Sequence, residues 1–248
     1  MSADGVELIA VDGQRLRVGS WRGSARLGYL APPAEGTVLP VSTLRHAVGH
    51  LAAAGYEEVI TGAVPETEIG DLLDAGFTVR ERLHLLTHPM THLDTLRSTA
   101  GRIPTRRARR ADRGPVLELD HLCFQPFWRL DDDALEESLV ATPVARFRVT
   151  GGARPFRLSR EAVTGYSVFG WSGDRGYLQR LAVHPDQRGR GLVEALIHDG
   201  LSWLARRGVR ATVVNTQEEN HRALRVYQRV GFVPEPHGLV VLSADLRP

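Results

Sequence analysis

From residue 104 onward, apolar residues fall into periods that switch between helix and strand spacing. A short strand is expected at 106–108. Asp112 then caps a helix whose apolar stripe is Val116, Leu117, Leu119, Leu122 and Cys123. Pro126 breaks that pattern, and Asp131 to Asp133 open a second helix through Leu139, with acidic residues at its positive end. Strands are expected at 144–150, 162–169 and 177–183, the last two separated by a turn from Trp171 to Gly176. After the turn His184-Pro185-Asp186, Leu192, Val193, Leu196, Ile197, Leu201 and Leu204 mark a helix that Gly208 ends. A strand at 211–215 follows. Asn220 caps a short helix in which Ala223, Leu224 and Tyr227 share its face, Gly231 stops that helix, and 239–242 closes the sheet.

The first hundred residues contain a weaker echo of this order. Ala52-Ala53-Ala54-Gly55 followed by Val59-Ile60-Thr61 parallels Ala205-Arg206-Arg207-Gly208 followed by Thr212-Val213-Val214. Leu72 to Phe77 likewise parallels Tyr227 to Phe232, which puts Leu72 in the place of Tyr227. Duplication of a helix-strand-helix-strand unit accounts for both matches, and so does chance recurrence, since that unit is common and the matched stretches are short. The expected division is a smaller, degenerate lobe at 1–95, a linker at 96–103 containing Ser98, Thr99 and Gly101, and a main domain at 104–248.

Composition narrows the classes. With 42% hydrophobic and 24% charged residues, disordered and collagen-like architectures are excluded. No apolar run approaches the roughly 20 residues of a membrane span, and the N-terminus shows no basic segment followed by an apolar core, so a cytoplasmic protein without a membrane partner is expected. The single cysteine, Cys123, agrees with a reducing compartment. All 31 basic residues are arginine, the bias of a GC-rich genome, and 29 acidic residues leave a net charge of +2, too even to argue for a polyanion. Arg102, Arg106, Arg107, Arg109, Arg110 and Arg113 crowd one segment, which reads as a solvated face rather than a nucleic-acid site.

Chemistry concentrates in Gln187-Arg188-Gly189-Arg190-Gly191-Leu192, a glycine loop between a strand and a helix N-terminus. Unpaired amides of a first helical turn and the helix dipole favour an anion, and glycines let phosphate oxygens approach the main chain. Walker and dinucleotide signatures are both missing. Taken alone, the loop could equally be a surface turn carrying arginines. Together with Leu181-Ala182-Val183 before it and Asn220 to Phe232 after it, the segment resembles the GNAT superfamily of N-acetyltransferases, over roughly 104–248 in element order. The first hundred residues are then similar to the degenerate lobe of a tandem arrangement such as that of mycothiol synthase.

The resemblance implies a mixed α/β (α+β) fold, with a mostly antiparallel central sheet flanked by helices, and acetyl-CoA as cosubstrate. Arg188, Gly189, Arg190, Gly191, Leu192 and Val193 would hold its pyrophosphate, Val193 standing where the family has a small residue and threatening to crowd the phosphate. Leu181, Ala182 and Val183 would splay from the neighbouring strand near Asn215 and bond the pantetheine arm, with Asn220 beside it. Tyr227 matches the family's acid for the departing thiolate; as a residue alone it also reads as a core tyrosine with its hydroxyl at the surface. Tyr177 occupies a strand position where many members have a glutamate base. Glu218 and Glu219 are the nearby substitutes, and both also read as helix-start acids. A missing base favours acceptors of low pKa: an α-amine is roughly 10–17% neutral at pH 7, a lysine amine about 0.04%.

The resemblance places acceptor binding between the first two helices. Phe127 and Trp128 would wall the acceptor and Arg129 would hold a carboxylate; alternatively the aromatics plug the core and Arg129 pairs with Asp131 to Asp133. Cys123 is expected away from the cofactor loop. His84, His88 and His92 recur every four residues, but Pro89 breaks the helix a metal site would need. The implied activity is direct acetyl transfer to an amine of a small molecule or a peptide N-terminus. A non-catalytic acyl-CoA sensor or scaffold is the alternative, and a homodimer is compatible with both.

Overall fold

The computed structural model describes residues 6–32, 37–91, 93, 103–151 and 163–247. The chain folds as two compact units: Met1–Leu85, Asn215–Leu224 and Glu235–Pro248 form unit 1, and Leu86–Val214 and Arg225–Pro234 form unit 2. The expected break at 96–103 lies almost wholly outside the described residues, and the expectation of contiguous domains at 1–95 and 104–248 is corrected by this exchange of segments. No helix of the described residues is long and apolar enough to cross a membrane.

Unit 1 begins with β1 (Glu7–Val11), β2 (Gln14–Ser20) and β3 (Leu27–Ala31), paired antiparallel in sequence order. Helix α1 (Val41–Ala53) crosses to β4 (Glu58–Thr61), which lies parallel to β3. The short β5 (Val64–Pro65), helix α2 (Gly70–Asp74) and β6 (Thr78–His88) follow.

Unit 2 contains β7 (Arg106–Arg107), α3 (Arg113–Cys123), α4 (Asp132–Val140), β8 (Val144–Gly151), β9 (Val163–Ser172) and β10 (Arg175–Val183). Next come α5 (Leu192–Ala205), β11 (Ala211–Gln217), α6 (His221–Arg229) and β12 (Val233–Pro234), of which residues 215–217 of β11 and 221–224 of α6 belong to unit 1. Strands β7 to β10 pair antiparallel in order, and β10 lies parallel to the start of β11 across α5. Val116 and Leu119 of α3 and Ala134 and Leu135 of α4 pack with Val149, Tyr166 and Val168 of the sheet. Leu117 and Cys123 pack against the same core, so of the predicted α3 stripe Leu122, 56% exposed, is the one that departs, while Asp120, which a hydrophobic pattern passes over, is fully buried.

The last strand, β13 (Leu239–Asp245), pairs antiparallel with β4 (Ser243 opposite Ile60), with β5 and with β6 (Leu239 opposite Leu83). It therefore closes the sheet of unit 1 rather than that of the C-terminal half. Packing explains the choice, since Val240, Leu242 and Ala244 sit in one core with Leu16, Val18, Leu30, Leu44, Leu51, Val59, Leu72 and Phe77.

The sequence echo is also an echo of backbone. Gly55 donates to Ala52 O and Tyr56 to Leu51 O, as Gly208 donates to Ala205 O and Val209 to Leu204 O. Phe77 N–H bonds Leu72 O at 3.0 Å and Phe232 N–H bonds Tyr227 O at 3.0 Å. Gly76 and Gly231 both turn their chains at φ 97°. Each is the left-handed residue that ends a helix and satisfies its last carbonyls.

Leu242→Ala should lower the unfolding free energy by about 2–5 kcal/mol. Urea titration measures the loss, and amide exchange should rise in β4 and β6 of unit 1 ahead of β8 and β9 of unit 2.

Candidate active site

Three residue pairs make up the parallel ladder of β10 with β11: Arg175–Ala211, Gly176–Thr212 and Tyr177–Val213. Strand β10 continues six residues further, to Val183. On its other edge it remains paired with β9 to the end, with a register shift between Leu178 and Arg180 that leaves Gln179 as an extra residue. Such a bulge bends and twists its strand, and it begins just where the ladder to β11 stops. Residues 181–183 thus run along an edge where main-chain groups can accept an extended ligand as an added strand.

The strand leads into a 3₁₀ turn, Pro185–Gln187, whose entry is fixed by Asp186 N–H donating to His184 Nδ1 at 3.2 Å. Gly189 and Gly191 then take φ of 73° and 81°, a region that a side chain disfavours by about 1–2 kcal/mol. Nothing lies within 4 Å of the position a Cβ would take at Gly189, so the space on that side of the loop is open. Gly191 caps α5, and Ala195 N–H is the first to reach back, to Gly191 O at 3.0 Å. The amides of Leu192, Val193 and Glu194 have no intrahelical acceptor. With Arg188 and Arg190 both exposed, loop and helix start form an anion cradle of suitable chemistry for a pyrophosphate. The Val193 side chain packs against the apolar cluster of Val183, Leu192 and Leu196.

Cys123 is where the structure departs from expectation. Because the C-terminal end of α3 packs against the end of β10, Cys123 Sγ donates to Val183 O at 3.5 Å, beside the cofactor loop rather than away from it. Burial pushes its thiol pKa up, while the nearby Arg188 guanidinium opposes that shift.

Tyr227, on α6, is buried against Phe232, with ring centroids 5.7 Å apart. Burial raises its hydroxyl pKa to about 12, and the positive charge of Arg180 works against that rise. The phenol is therefore protonated throughout the neutral range. Its helix end is anchored by His88, 2% exposed, whose ring meets Phe232 edge-on at 5.2 Å and accepts Met90 N–H on Nδ1 at 3.0 Å. A backbone hydrogen bond with Val230 occupies the other side of the ring. His88 is thus a structural tether. His84 lies on β6, and His92 lies outside the described residues.

Between α3 and α4, residues Pro126–Trp128 form a 3₁₀ turn in which Phe127 and Trp128 meet edge-to-face at 5.0 Å. Both are half-buried; Arg129 is exposed and donates from Nε to Phe124 O at 3.3 Å. Asp131 caps α4 by accepting Ala134 N–H at 2.7 Å. Under this loop lies a polar network that periodicity does not reveal. Arg180 makes a two-point contact with Asp120, 2.8 Å from Nε to Oδ2 and 2.9 Å from Nη2 to Oδ1. Tyr166 OH also donates to Asp120 Oδ2, and Leu130 N–H donates to Oδ1 at 2.8 Å. The one sequence signal is a charged residue, Arg180, inside the strand Arg175–Val183 and next to Leu181-Ala182-Val183.

Glu218 and Asn220 belong to unit 1. Glu218 is exposed and its N–H donates to Arg82 O at 3.1 Å, while Asn220 Oδ1 accepts Ala223 N–H at 3.1 Å as the predicted helix cap. In the arginine-rich segment, Arg106 forms a bidentate pair with Asp112 at 2.7 Å and Arg113 pairs with Glu136 at 2.6 Å; Arg102 lies outside the described residues.

Residues 115–232 match the Acetyltransferase (GNAT) family. Among solved structures, a tandem GNAT protein from the clavulanic acid biosynthesis pathway superposes with a TM-score of 0.63 at 16% identity, covering 94% of this chain and 79% of that one. A GCN5-related N-acetyltransferase from Sphaerobacter thermophilus gives 0.55 at 17% identity, with 96% and 79% covered. One from Kribbella flavida gives 0.60 at 10%, with 97% and 90% covered. At these identities the likeness is one of fold.

Gly189→Ala should weaken coenzyme A binding about 5–30-fold, the strain of a left-handed alanine expressed as affinity, by isothermal titration calorimetry. His88 supplies a pH dependence. Its pKa is lowered by burial, so the native state resists a proton that the unfolded chain accepts below about 6.5. Stability present above that pH should fall as pH drops toward the lowered native value, and His88→Gln should flatten this part of a urea-midpoint profile.

Proposed function

We propose that the chain, whose residues 115–232 match the Acetyltransferase (GNAT) family, is an acetyl-CoA-dependent N-acetyltransferase acting by direct transfer to an amine of a small molecule or a peptide N-terminus. The observation that carries this reading is the continuity of β10: a strand edge released from β11 after Tyr177 runs directly into a glycine cradle at the start of α5. One element can then hold an extended amide-bearing arm along Leu181 to Val183 and a pyrophosphate at Gly189 to Val193.

Acetyl-CoA supplies an activated thioester. The chain supplies position and a proton. The strand amides and carbonyls orient the arm, the α5 amides with Arg188 and Arg190 hold its anionic end, and Phe127 and Trp128 offer an apolar wall with Arg129 at its rim. Tyr227 carries a hydroxyl proton that stays in place at neutral pH and is available to the sulfur as the C–S bond breaks. The amine attacks in its neutral form, which favours acceptors with a pKa near 8 over lysine side chains.

Tyr227→Phe should reduce kcat at least about 100-fold while coenzyme A affinity stays unchanged. Thermal shift with acetyl-CoA, followed by thiol release across amino acids, dipeptides, spermidine and kanamycin, checks it. No shift at saturating acetyl-CoA refutes cofactor use. A shift with no amine-dependent thiol release points instead to an acyl-CoA sensor.

A further inference from the structure

Arg180 occupies a position that the expected chemistry leaves unexplained. It follows the Gln179 bulge and directly precedes Leu181, Ala182 and Val183, yet its side chain turns to the other partner of the reaction. Besides its two contacts with Asp120, Nη2 donates to Trp128 O at 2.6 Å. Its guanidinium lies 3.5 Å from the centroid of the Phe124 ring. Asp120 in turn accepts Leu130 N–H at 2.8 Å, and His121 Nε2 lies 2.7 Å from Leu130 O. The segment from Phe124 to Leu130 is therefore held by a ring, a carbonyl and an amide, all converging on one ion pair.

That pair is expensive to place. Asp120 is fully buried and the Arg180 side chain is 10% exposed. Removing both charges from water is repaid only when geometry and the remaining hydrogen bonds are complete. Here both carboxylate oxygens accept two bonds each. Merely joining α3 to the sheet would not need this arrangement, since Val116 and Leu119 already do so. What the ion pair adds is a fixed relation between the strand of Leu181 to Val183 and the loop bearing Phe127, Trp128 and Arg129.

We propose that Arg180 is a positioning residue for the acceptor: from the cofactor strand it holds the Phe124–Leu130 loop in register with residues 181–183, acting through Asp120, Trp128 O and the Phe124 ring. This deepens the acetyltransferase reading and rests on it. Lysine can replace the charge but not the planar fork that engages Asp120 and Trp128 O together.

The test uses the full chain with Arg180→Lys and, as a milder change that leaves the ion pair intact, Phe124→Leu. Amide exchange read by mass spectrometry needs no ligand. Arg180→Lys should speed exchange in the 124–130 loop at least tenfold, at Leu130 above all, while the coenzyme A dissociation constant stays within threefold. With whichever amine of the panel releases thiol fastest, the acceptor KM should rise at least tenfold and kcat change less than threefold; Phe124→Leu should shift the same KM by a smaller factor. An unchanged loop exchange in folded Arg180→Lys overturns the proposal. So does a joint fall of kcat and coenzyme A affinity with acceptor KM unmoved, the mark of a general structural role. If Arg180→Lys does not fold, unchanged exchange and KM in Phe124→Leu overturn it instead. If the parent chain releases thiol with no amine, the acetyltransferase reading fails, and loop exchange with coenzyme A binding decides on Arg180 alone.

Discussion

A strand that leaves its neighbour partway along a sheet must find other partners for its main-chain N–H and C=O groups. Strand β10 does this after Tyr177, and much of unit 2 follows from it. The bulge at Gln179 bends the strand away, and β9 keeps the other edge paired. The end of the strand is held by apolar contacts of Val183 with Leu192 and Leu196 rather than by a second ladder. A released edge exposes backbone polarity at a cost that a ligand with its own amides can offset. The glycine turn of Gly189 and Gly191 and the start of α5 follow immediately on the same stretch of main chain.

The second constraint is a charge inside the protein. Asp120 is the one fully buried carboxylate named among the buried polar residues of the described chain, and it is satisfied by Arg180, Tyr166 and the Leu130 amide. A network this complete is rigid, because loss of any member leaves a buried group without a partner. The loop that carries Phe127 and Trp128 is tied to this network through Trp128 O and the Leu130 amide.

The two units share backbone features and differ in chemistry. Helix ends, left-handed glycines and the strand order around α1 and α5 recur, since these are requirements of folding. The chemistry does not recur. Leu72 takes the place of Tyr227, and α1 is entered at Pro40, with φ of −55°, where α5 is entered at Gly191. A proline at that point has no N–H to offer an anion. Unit 1 thus retains a scaffold without the cradle, and its sheet takes its closing strand from the far end of the chain.

Much of this was legible in local residue order. Periodicity located the helices at 113–123 and 192–205, Asn220 marked the cap of α6 and Asp131 to Asp133 the start of α4, and Gly189 and Gly191 marked a glycine turn at a helix start, because each depends on residues within a few positions of one another. Long-range pairing was not legible in this way. The apolar run of β13 satisfies any buried position, so only the shape of the core around Leu30, Val59 and Phe77 decided that it would join unit 1. Asp120 reads in sequence as a solvated helix acid until β10 brings Arg180 and β9 brings Tyr166 to it, 60 and 46 residues away. Cys123 comes to Val183 O by the same packing. The sequence by itself determined the elements and the glycine turn at the start of α5, whose physics is local; the tertiary structure alone decided which buried charge holds the 124–130 loop, because a carboxylate can be buried only after its distant partners have arrived.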